Sequence, residues 1–160
     1  MPEVFCNTSP IQYLHQLDLL FLRPALYAKV GVPLAVIREL QAGIQKGVAL
    51  PALPLPESFE EMDDLETDFL PFAALGPGEN QVLAQLHANP GSLGILDDRP
   101  ARALARKLGF RITGTLGVLL RAKQRALIPT LRPCLHRLEE AGFRIHPVTR
   151  QEVLRLANEA

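Results

Sequence analysis

The pattern that decides the fold lies in residues 93–113, LGILDDRPARALARKLGFRIT. The compact apolar run Leu93–Leu96 predicts a buried strand. Pro100–Leu108 then predicts a helix, because proline is favoured in the first helical turn. Phe110–Thr113 predicts the next strand. Two short strands joined by one helix form a β-α-β unit, in which the strands run parallel.

The same alternation extends toward the N-terminus. Glu3–Cys6 predicts the first strand, and the polar segment from Asn7 to Pro10 leads into a helix. Leu26–Val32 predicts a second strand, and Pro33 opens another helix. Short apolar strands alternating with helices indicate a central parallel sheet covered on both faces. The predicted fold class is therefore α/β, a three-layer sandwich.

Length and composition fit one domain. A chain of 160 residues with 48% hydrophobic residues can build one sizeable core, so we expect a single domain over residues 1–160. Within it, the proline-rich acidic residues 49–71 are expected to form an insert or loop, and residues 126–160 a C-terminal helical part. No apolar stretch approaches the ~18 residues of a membrane span, and Met1–Cys6 lacks the features of a signal peptide. We therefore expect a cytoplasmic protein without membrane association.

The charges are unevenly distributed although the formal net charge is zero. Between Gly47 and Asp98 there is no Lys or Arg, and ten of the seventeen acidic residues lie there. Arg99–Ala160 contains thirteen Lys and Arg against four Glu. This excess of positive charge indicates a basic face that can follow a phosphate backbone. Solvated arginines on amphipathic helices explain the same numbers equally well.

Four acidic residues are candidates for a metal site. Asp97 and Asp98 follow the strand at Leu93, and sites in parallel sheets lie beyond the carboxyl ends of the strands. Glu79 lies in the first turn of a helix, and Glu39 borders the buried face of its helix. Helix capping and the helix macrodipole offer ordinary explanations for an acid at a helix start. Adjacent or half-buried carboxylates are costly, however, which favours a metal or a basic partner.

The most specific segment of the chain is Thr113–Lys123, with the sequence TGTLGVLLRAK. Four further segments stand in order around it: Asn7–Pro10, Pro33–Leu40, Gly78–Glu79 and Leu96–Ala105. With these segments the chain resembles a family of prokaryotic PIN-like proteins related to VapC-type toxins. The resemblance covers nearly the whole chain and fails only across residues 49–71. It implies a PIN-like fold in which several acidic side chains converge at the carboxyl edge of the sheet.

The resemblance also implies that the acids bind Mg²⁺ or Mn²⁺ for hydrolysis of RNA. Asn7 stands where the first acid of PIN nucleases usually lies, Glu39 matches the second, Glu79 the third and Asp98 the fourth. Asp97 is a candidate additional ligand. Glu39, Glu79 and Asp98 are thereby implied as the catalytic residues. Asn7 can coordinate a metal through its amide oxygen, but it lacks the negative charge of an aspartate.

The charge pattern and the resemblance together predict contacts to the RNA. Thr8, Ser9 and Thr115 are expected near the same edge, where they would hydrogen-bond a water molecule or a phosphate. The basic residues expected to contact phosphates are Arg99, Arg102, Arg121 and Lys123. The four histidines lie on or beside predicted helices without motif context, so we expect surface or packing roles for them.

These features favour two functions. The first is a metal-dependent endoribonuclease, such as the toxin of a toxin-antitoxin pair. The alternative is a PIN-like module that binds nucleic acid with weak or no cleavage, and Asn7 favours this second function. A receiver-like signalling domain is disfavoured, because its acidic pair would follow the first strand rather than a late one. The expected partners are single-stranded RNA, an antitoxin protein and a second copy of the chain.

Overall fold

The computed structural model describes residues 3–68 and 75–160. Strands and helices alternate through most of this part of the chain. In order they are β1 (Val4–Cys6), α1 (Thr8–Gln16), α2 (Leu22–Leu26), β2 (Val30–Pro33), α3 (Leu34–Gln45), β3 (Phe59–Met62), α4 (Pro77–Ala88), β4 (Leu93–Ile95), α5 (Arg99–Lys107), β5 (Arg111–Thr113), α6 (Thr115–Gln124), α7 (Arg132–Glu140) and α8 (Pro147–Leu156). None of the described helices is long and apolar enough to cross a membrane.

The strands form one parallel sheet in the order β3-β2-β1-β4-β5. The chain moves outward from β1 through β2 to β3, and then returns to the other side of β1 for β4 and β5. Because crossovers between parallel strands are right-handed, this reversal places α1 and α3 on one face and α4 and α5 on the other. The predicted α/β fold with three layers is confirmed.

The reversal creates a crevice between the carboxyl ends of β1 and β4, where parallel α/β sheets usually carry their sites. Val4 of β1 lies opposite Val30 on one side and Leu93 on the other. The pairing continues past the end of β1, because the backbone N–H of Asn7 donates to the carbonyl of Ile95 at 3.1 Å. The buried central strand therefore positions Asn7 at the edge of the crevice.

The second strand begins later than the sequence predicts. Leu22–Leu26 forms α2, and the strand itself is Val30–Pro33. Leu22 and Leu26 are both buried and lie four residues apart, which is the spacing of one helical face. A short apolar run is compatible with either a strand or a buried helix, so its composition alone did not distinguish them.

Residues 49–71 differ from the expected insert or loop, because they contain the edge strand β3. Phe59–Met62 pairs in parallel with β2, and its first residue is buried in the core. Beyond this strand, the backbone of Leu65 forms two hydrogen bonds of 2.7 and 2.9 Å with the side chain of Gln81 on α4. These contacts fix the acidic segment against the sheet and α4. Residues 69–71 lie outside the described part of the chain.

The expected C-terminal helical part contains α7 and α8. Arg137 on α7 donates to the carbonyl oxygens of Leu17 at 3.1 Å and Gln16 at 3.2 Å, which satisfies acceptors left at the end of α1. Burial of three leucines fixes α7 on the core: Leu131, Leu135 and Leu138. This packing brings the segment between α7 and α8 toward the same edge as the crevice.

Candidate active site

Asn7 and Glu39 meet beside Gly78 at the carboxyl edge of the sheet. Asn7 follows β1, Glu39 lies on α3, and Gly78 lies in the first turn of α4. A Cβ atom on Gly78 would lie 2.6 and 2.8 Å from the two carboxylate oxygens of Glu39, and 2.9 Å from Oδ1 of Asn7. Oxygen atoms of Asn7 and Glu39 therefore lie around the position that a side chain of residue 78 would occupy, and only glycine leaves this position free.

The carboxylate of Glu39 is held from two sides. The backbone N–H of Gly78 donates to Oε1 at 2.9 Å, and the hydroxyl of Thr8 donates to Oε2. Each carboxylate oxygen has two acceptor positions, so both oxygens can accept a further contact. Thr8 thus lies near the edge that the sequence indicated, and it orients Glu39 there.

The side chain of Asn7 is buried without a hydrogen-bond partner for its amide oxygen. Asn7 is 4% exposed, and its Oδ1 lacks a partner among the described residues. Asn7 occupies the N-cap position of α1, but its side chain makes no capping hydrogen bond within the described structure. Leaving such an atom unpaired costs about 1–3 kcal/mol. Helix capping therefore does not explain this residue, whereas a bound cation would satisfy the oxygen.

Glu79 and Asp98 each accept a hydrogen bond from a backbone N–H at the start of a helix, and the charges of the two residues also interact. Oε2 of Glu79 accepts from the backbone N–H of Gly76 at 2.8 Å, and Oδ2 of Asp98 accepts from the N–H of Ala101 at 3.1 Å. Burial raises the pKa of Glu79, the Gly76 hydrogen bond opposes this change, and the charges of Asp98 and Glu39 raise the pKa further. Glu79 therefore experiences the negative charge of both other acids.

The oxygen atoms at this edge are suitable ligands for a divalent cation such as Mg²⁺, although the carboxylates do not form a close group of three. Within residues 3–68 and 75–160, no three acidic, histidine or cysteine side chains lie close enough together to form a metal site as they stand. Mg²⁺, however, is usually held by one or two carboxylates together with other oxygen ligands and waters. The amide oxygen of Asn7 and the carboxylates of Glu39 and Glu79 are ligands of this kind.

A family model described as a PIN domain matches residues 3–159. The chain belongs to this PIN domain family. The match includes the carboxyl edge of the sheet and all the acids around it. Neither a curated protein nor a solved structure matches the chain significantly.

In this PIN domain, Asp97 fixes the start of α6. Thr115 donates its backbone N–H to Oδ1 of Asp97 at 2.7 Å and its hydroxyl to Oδ2 at 2.6 Å. Thr115 is fully buried, and a Cβ atom on Gly114 would lie 2.8 Å from the same carboxylate. The sequence indicated Asp97 as an additional metal ligand and Thr115 as a contact to water or phosphate. The geometry pairs the two residues with each other and gives Asp97 a positioning role.

A cleft of about 640 Å³ opens beside the acids of the PIN domain, and we call it the acidic cleft. Ser9 and Tyr13 line it from α1, so Ser9 lies where the sequence placed it. Its remaining lining residues are Glu79, Asp97, Asp98, Arg99, Pro100, Phe143, Arg144, Ile145 and His146. The cleft therefore combines carboxylates with basic side chains from two separate parts of the chain.

The predicted phosphate contacts divide into two groups. Arg99 lines the acidic cleft, and the half-buried Arg102 donates to the carbonyl of Leu96 at 2.8 Å. Arg121 lies with its guanidinium 5.7 Å from the ring centroid of Tyr27, and Lys123 donates to the carbonyl of a proline at 2.9 Å. Helix α6 starts at the carboxyl edge, so a rise of ~1.5 Å per residue puts Lys123 about 12 Å along its axis. A phosphate contact of Arg121 or Lys123 stays a prediction from the sequence.

The sequence did not indicate the segment from Phe143 to His146. Phe143 packs edge to face against Tyr13, with ring centroids 5.0 Å apart, and Ile145 packs against the core. The alternate residues Arg144 and His146 are exposed and line the cleft. No local motif marks this segment, because its position depends on how α7 packs on the core.

We expect Gly78→Ala to weaken Mn²⁺ binding about tenfold, the scale of losses seen when the support of a metal ligand is removed. The added Cβ would overlap the oxygens of Glu39 and Asn7 and push them apart. Isothermal calorimetry with Mn²⁺ measures the change in affinity. Gly76→Ala is the matched control, since the nearest atom to its Cβ would lie 3.4 Å away. Equal affinities of the two variants would show that the oxygens beside Gly78 do not bind the ion.

We expect Glu79→Gln to raise the free energy of unfolding of the metal-free protein at neutral pH, by about 0.5 kcal/mol after solvent screening. Glutamine can still accept from Gly76, but it removes a charge that burial disfavours and that Asp98 and Glu39 repel. Because the pKa of folded Glu79 is raised above 4.5, the penalty is full above the raised value and disappears as the pH falls through it. Urea unfolding in EDTA at neutral and acidic pH measures the difference. Glu66→Gln, at an exposed site, is the control, and lower stability of Glu79→Gln at neutral pH would contradict the prediction.

Proposed function

We propose that this PIN domain is an endoribonuclease that depends on Mg²⁺ or Mn²⁺ and cleaves single-stranded RNA at the acidic cleft. The observation that carries the proposal is the buried amide oxygen of Asn7, which lies beside the carboxylate of Glu39 and has no hydrogen-bond partner among the described residues. Both groups lie beside Gly78, at the start of α4. A buried unpaired acceptor next to a carboxylate is costly for the protein alone and is relieved by a cation.

The metal would be held by groups from three elements. Asn7 follows β1, Glu39 lies on α3, and Glu79 lies on α4, while Asp98 adds negative charge from the start of α5. When bound, the divalent ion offsets charge that develops on the scissile phosphate and makes water a stronger nucleophile. Thr8 orients Glu39 during this process, because its hydroxyl donates to that carboxylate.

The side chains around the ion have distinct roles in this proposal. Glu79 accepts the proton of the attacking water, and the N–H of Gly76 orients its carboxylate for this role. Arg99 lies beside Asp98 and supplies positive charge to the phosphate oxygens. Asp97 and Thr115 keep the β5–α6 connection in place. Glu39, Glu79 and Asp98 are accordingly the proposed catalytic residues.

A specific observation favours a second candidate function, a PIN-like module that binds RNA without cutting it. Asn7 brings no negative charge to the site, and the described residues include no tight group of three acidic ligands. Weak binding of the ion would leave the acidic cleft able to hold RNA while hydrolysis is slow.

The resemblance to PIN-like proteins that are related to VapC-type toxins extends the proposal to a biological role. In that role the chain is the toxin of a toxin-antitoxin pair in the cytoplasm, and an antitoxin protein restrains its cleavage of RNA. A homodimer is part of the same proposal. The PIN domain family supports the nuclease-type fold on which this role depends.

Incubation of the purified protein with a pool of single-stranded RNAs and Mn²⁺ or Mg²⁺ tests the two functions, with EDTA as the control. Cleavage that disappears in EDTA supports the endoribonuclease. Binding of RNA with no cleavage under either condition supports the binding module. Absence of both binding and cleavage contradicts both candidates.

A further inference from the structure

A second cleft adjoins the acidic cleft, and we call it the basic cleft. It has a volume of about 520 Å³. Its charged and histidine lining residues are Asp97, Arg99, Arg102, Arg106, Arg144 and His146. The two clefts share Asp97, Arg99 and residues 143–146. They are therefore neighbouring parts of one surface, and the acids dominate only one of them.

One wall of the basic cleft is a stripe of arginines on α5. Arg99, Arg102 and Arg106 are spaced at i, i+3 and i+7, which places them on one side of the helix. The opposite side is buried in the core through residues such as Leu104. Burial lowers the pKa of Arg102, and the positive charge of Arg106 lowers it further, although Asp97 opposes the change. The guanidinium groups of this wall thus repel each other.

The other wall comes from the segment between α7 and α8. Arg144 and His146 are exposed on this segment, while Phe143 is anchored against Tyr13. The carboxylate of Asp97 is the acid in the lining of the basic cleft, and both its oxygens accept hydrogen bonds from Thr115. Positive charge therefore exceeds negative charge on the two walls, which makes the cleft suited to an anion.

We propose that the basic cleft binds a backbone phosphate of the same RNA strand whose scissile phosphate lies in the acidic cleft. This proposal rests on the proposed function for the nature of its ligand. Arginine guanidinium groups match phosphate oxygens in a bidentate geometry, and the hydroxyls of Thr113 and Thr149 in the lining add donors. The preferred substrate is consequently a strand that reaches both clefts, rather than a mononucleotide or free phosphate.

Replacement of Arg106 and Arg144 together tests the proposal, because both are exposed and one lies on each wall. Binding of a short fluorescent single-stranded RNA is measured in EDTA over a range of salt concentrations, so that neither metal nor cleavage contributes. The Arg106→Ala, Arg144→Ala variant should bind about tenfold more weakly. The slope of log K against log salt should become shallower by about 0.7, since that is the contribution of the one phosphate contact that is lost on a single strand.

The matched control is the Arg125→Ala, Arg155→Ala variant, which loses the same charge at exposed positions outside both clefts. Three results would each overturn the proposal. RNA binding could be weakened equally by the two variants, or it could be unchanged in the test variant. Alternatively, an equal concentration of inorganic phosphate could displace the RNA. Because binding is measured without metal, absence of RNA cleavage would refute the endoribonuclease while leaving this result intact. Thermal unfolding of both variants shows that a loss of affinity does not come from a loss of fold.

Discussion

Glu39→Gln should reduce metal-dependent RNA cleavage by about 100-fold or more, because it removes the carboxylate that lies beside Gly78 together with the amide oxygen of Asn7. Glutamine has nearly the same shape as glutamate and can still accept from the N–H of Gly78. The hydroxyl of Thr8 can in turn accept a hydrogen bond rather than donate one. The fold should therefore remain intact while the charge is lost.

The measurement for Glu39→Gln is the rate of RNA cleavage at saturating Mn²⁺, together with the rise in melting temperature that Mn²⁺ causes. The wild-type protein should gain stability from the ion in proportion to RT ln(1 + [Mn²⁺]/Kd), and the variant should gain much less. Glu61→Gln makes the same chemical change at an exposed position of β3 and should behave like the wild type. Full cleavage by Glu39→Gln would remove the basis of the proposed site.

Asn7→Asp should destabilise the metal-free protein and strengthen its binding of a divalent metal ion. In EDTA the new carboxylate is buried beside Glu39, and the repulsion should lower the free energy of unfolding by about 1–3 kcal/mol. With Mn²⁺ or Mg²⁺ the added charge faces the ion, so affinity should increase about tenfold and RNA cleavage should increase with it. A residue that only capped α1 would show neither effect, because aspartate and asparagine cap equally well.

Calorimetry with Mn²⁺ and thermal unfolding in EDTA measure both effects of Asn7→Asp. Asn158→Asp is a suitable control, since Asn158 is exposed and does not line the acidic cleft. Equal Mn²⁺ affinity of wild type and Asn7→Asp would exclude Asn7 as a ligand. An increase in affinity without RNA cleavage would favour the second candidate, the binding module.

The sequence predicted the parallel sheet well because its signals are local. Leu93–Leu96 is an apolar run, and Phe110–Thr113 alternates apolar and polar residues. Each segment is followed by a helix start, and both overlap observed strands. The strand within residues 49–71 was harder to predict. Phe59–Met62 contains two glutamates and pairs with a neighbouring strand on one side only. Its place in the sheet depends on pairing with β2, a contact that no local pattern reveals.

The candidate site was predictable where a residue follows a strand or starts a helix, and Glu39 was predicted from its place beside the buried face of α3. Asn7, Glu79 and Asp98 stand at such positions, so the topology of the sheet brings them to one edge. The hydrogen bonds between Asp97 and Thr115 join residues that are separated in the chain and could not be inferred from spacing. The contribution of residues 143–146 depends in the same way on long-range packing. The i, i+3, i+7 spacing of arginines on α5 was the available signal for the basic cleft.

The edge strand β3 has a further consequence for how copies of this protein meet. Glu60 and Glu61 lie on this strand, and two aspartates follow it directly. An edge strand presents unpaired backbone groups that can join the sheet of another molecule, and charged side chains oppose such joining. The acidic stretch after Gly47 thus protects the protein from aggregation through its sheet. Lys29 and Arg38 pair with Glu60 and Asp64, while Glu61 and Asp63 add further negative charge that disfavours a homodimer joined through two β3 strands.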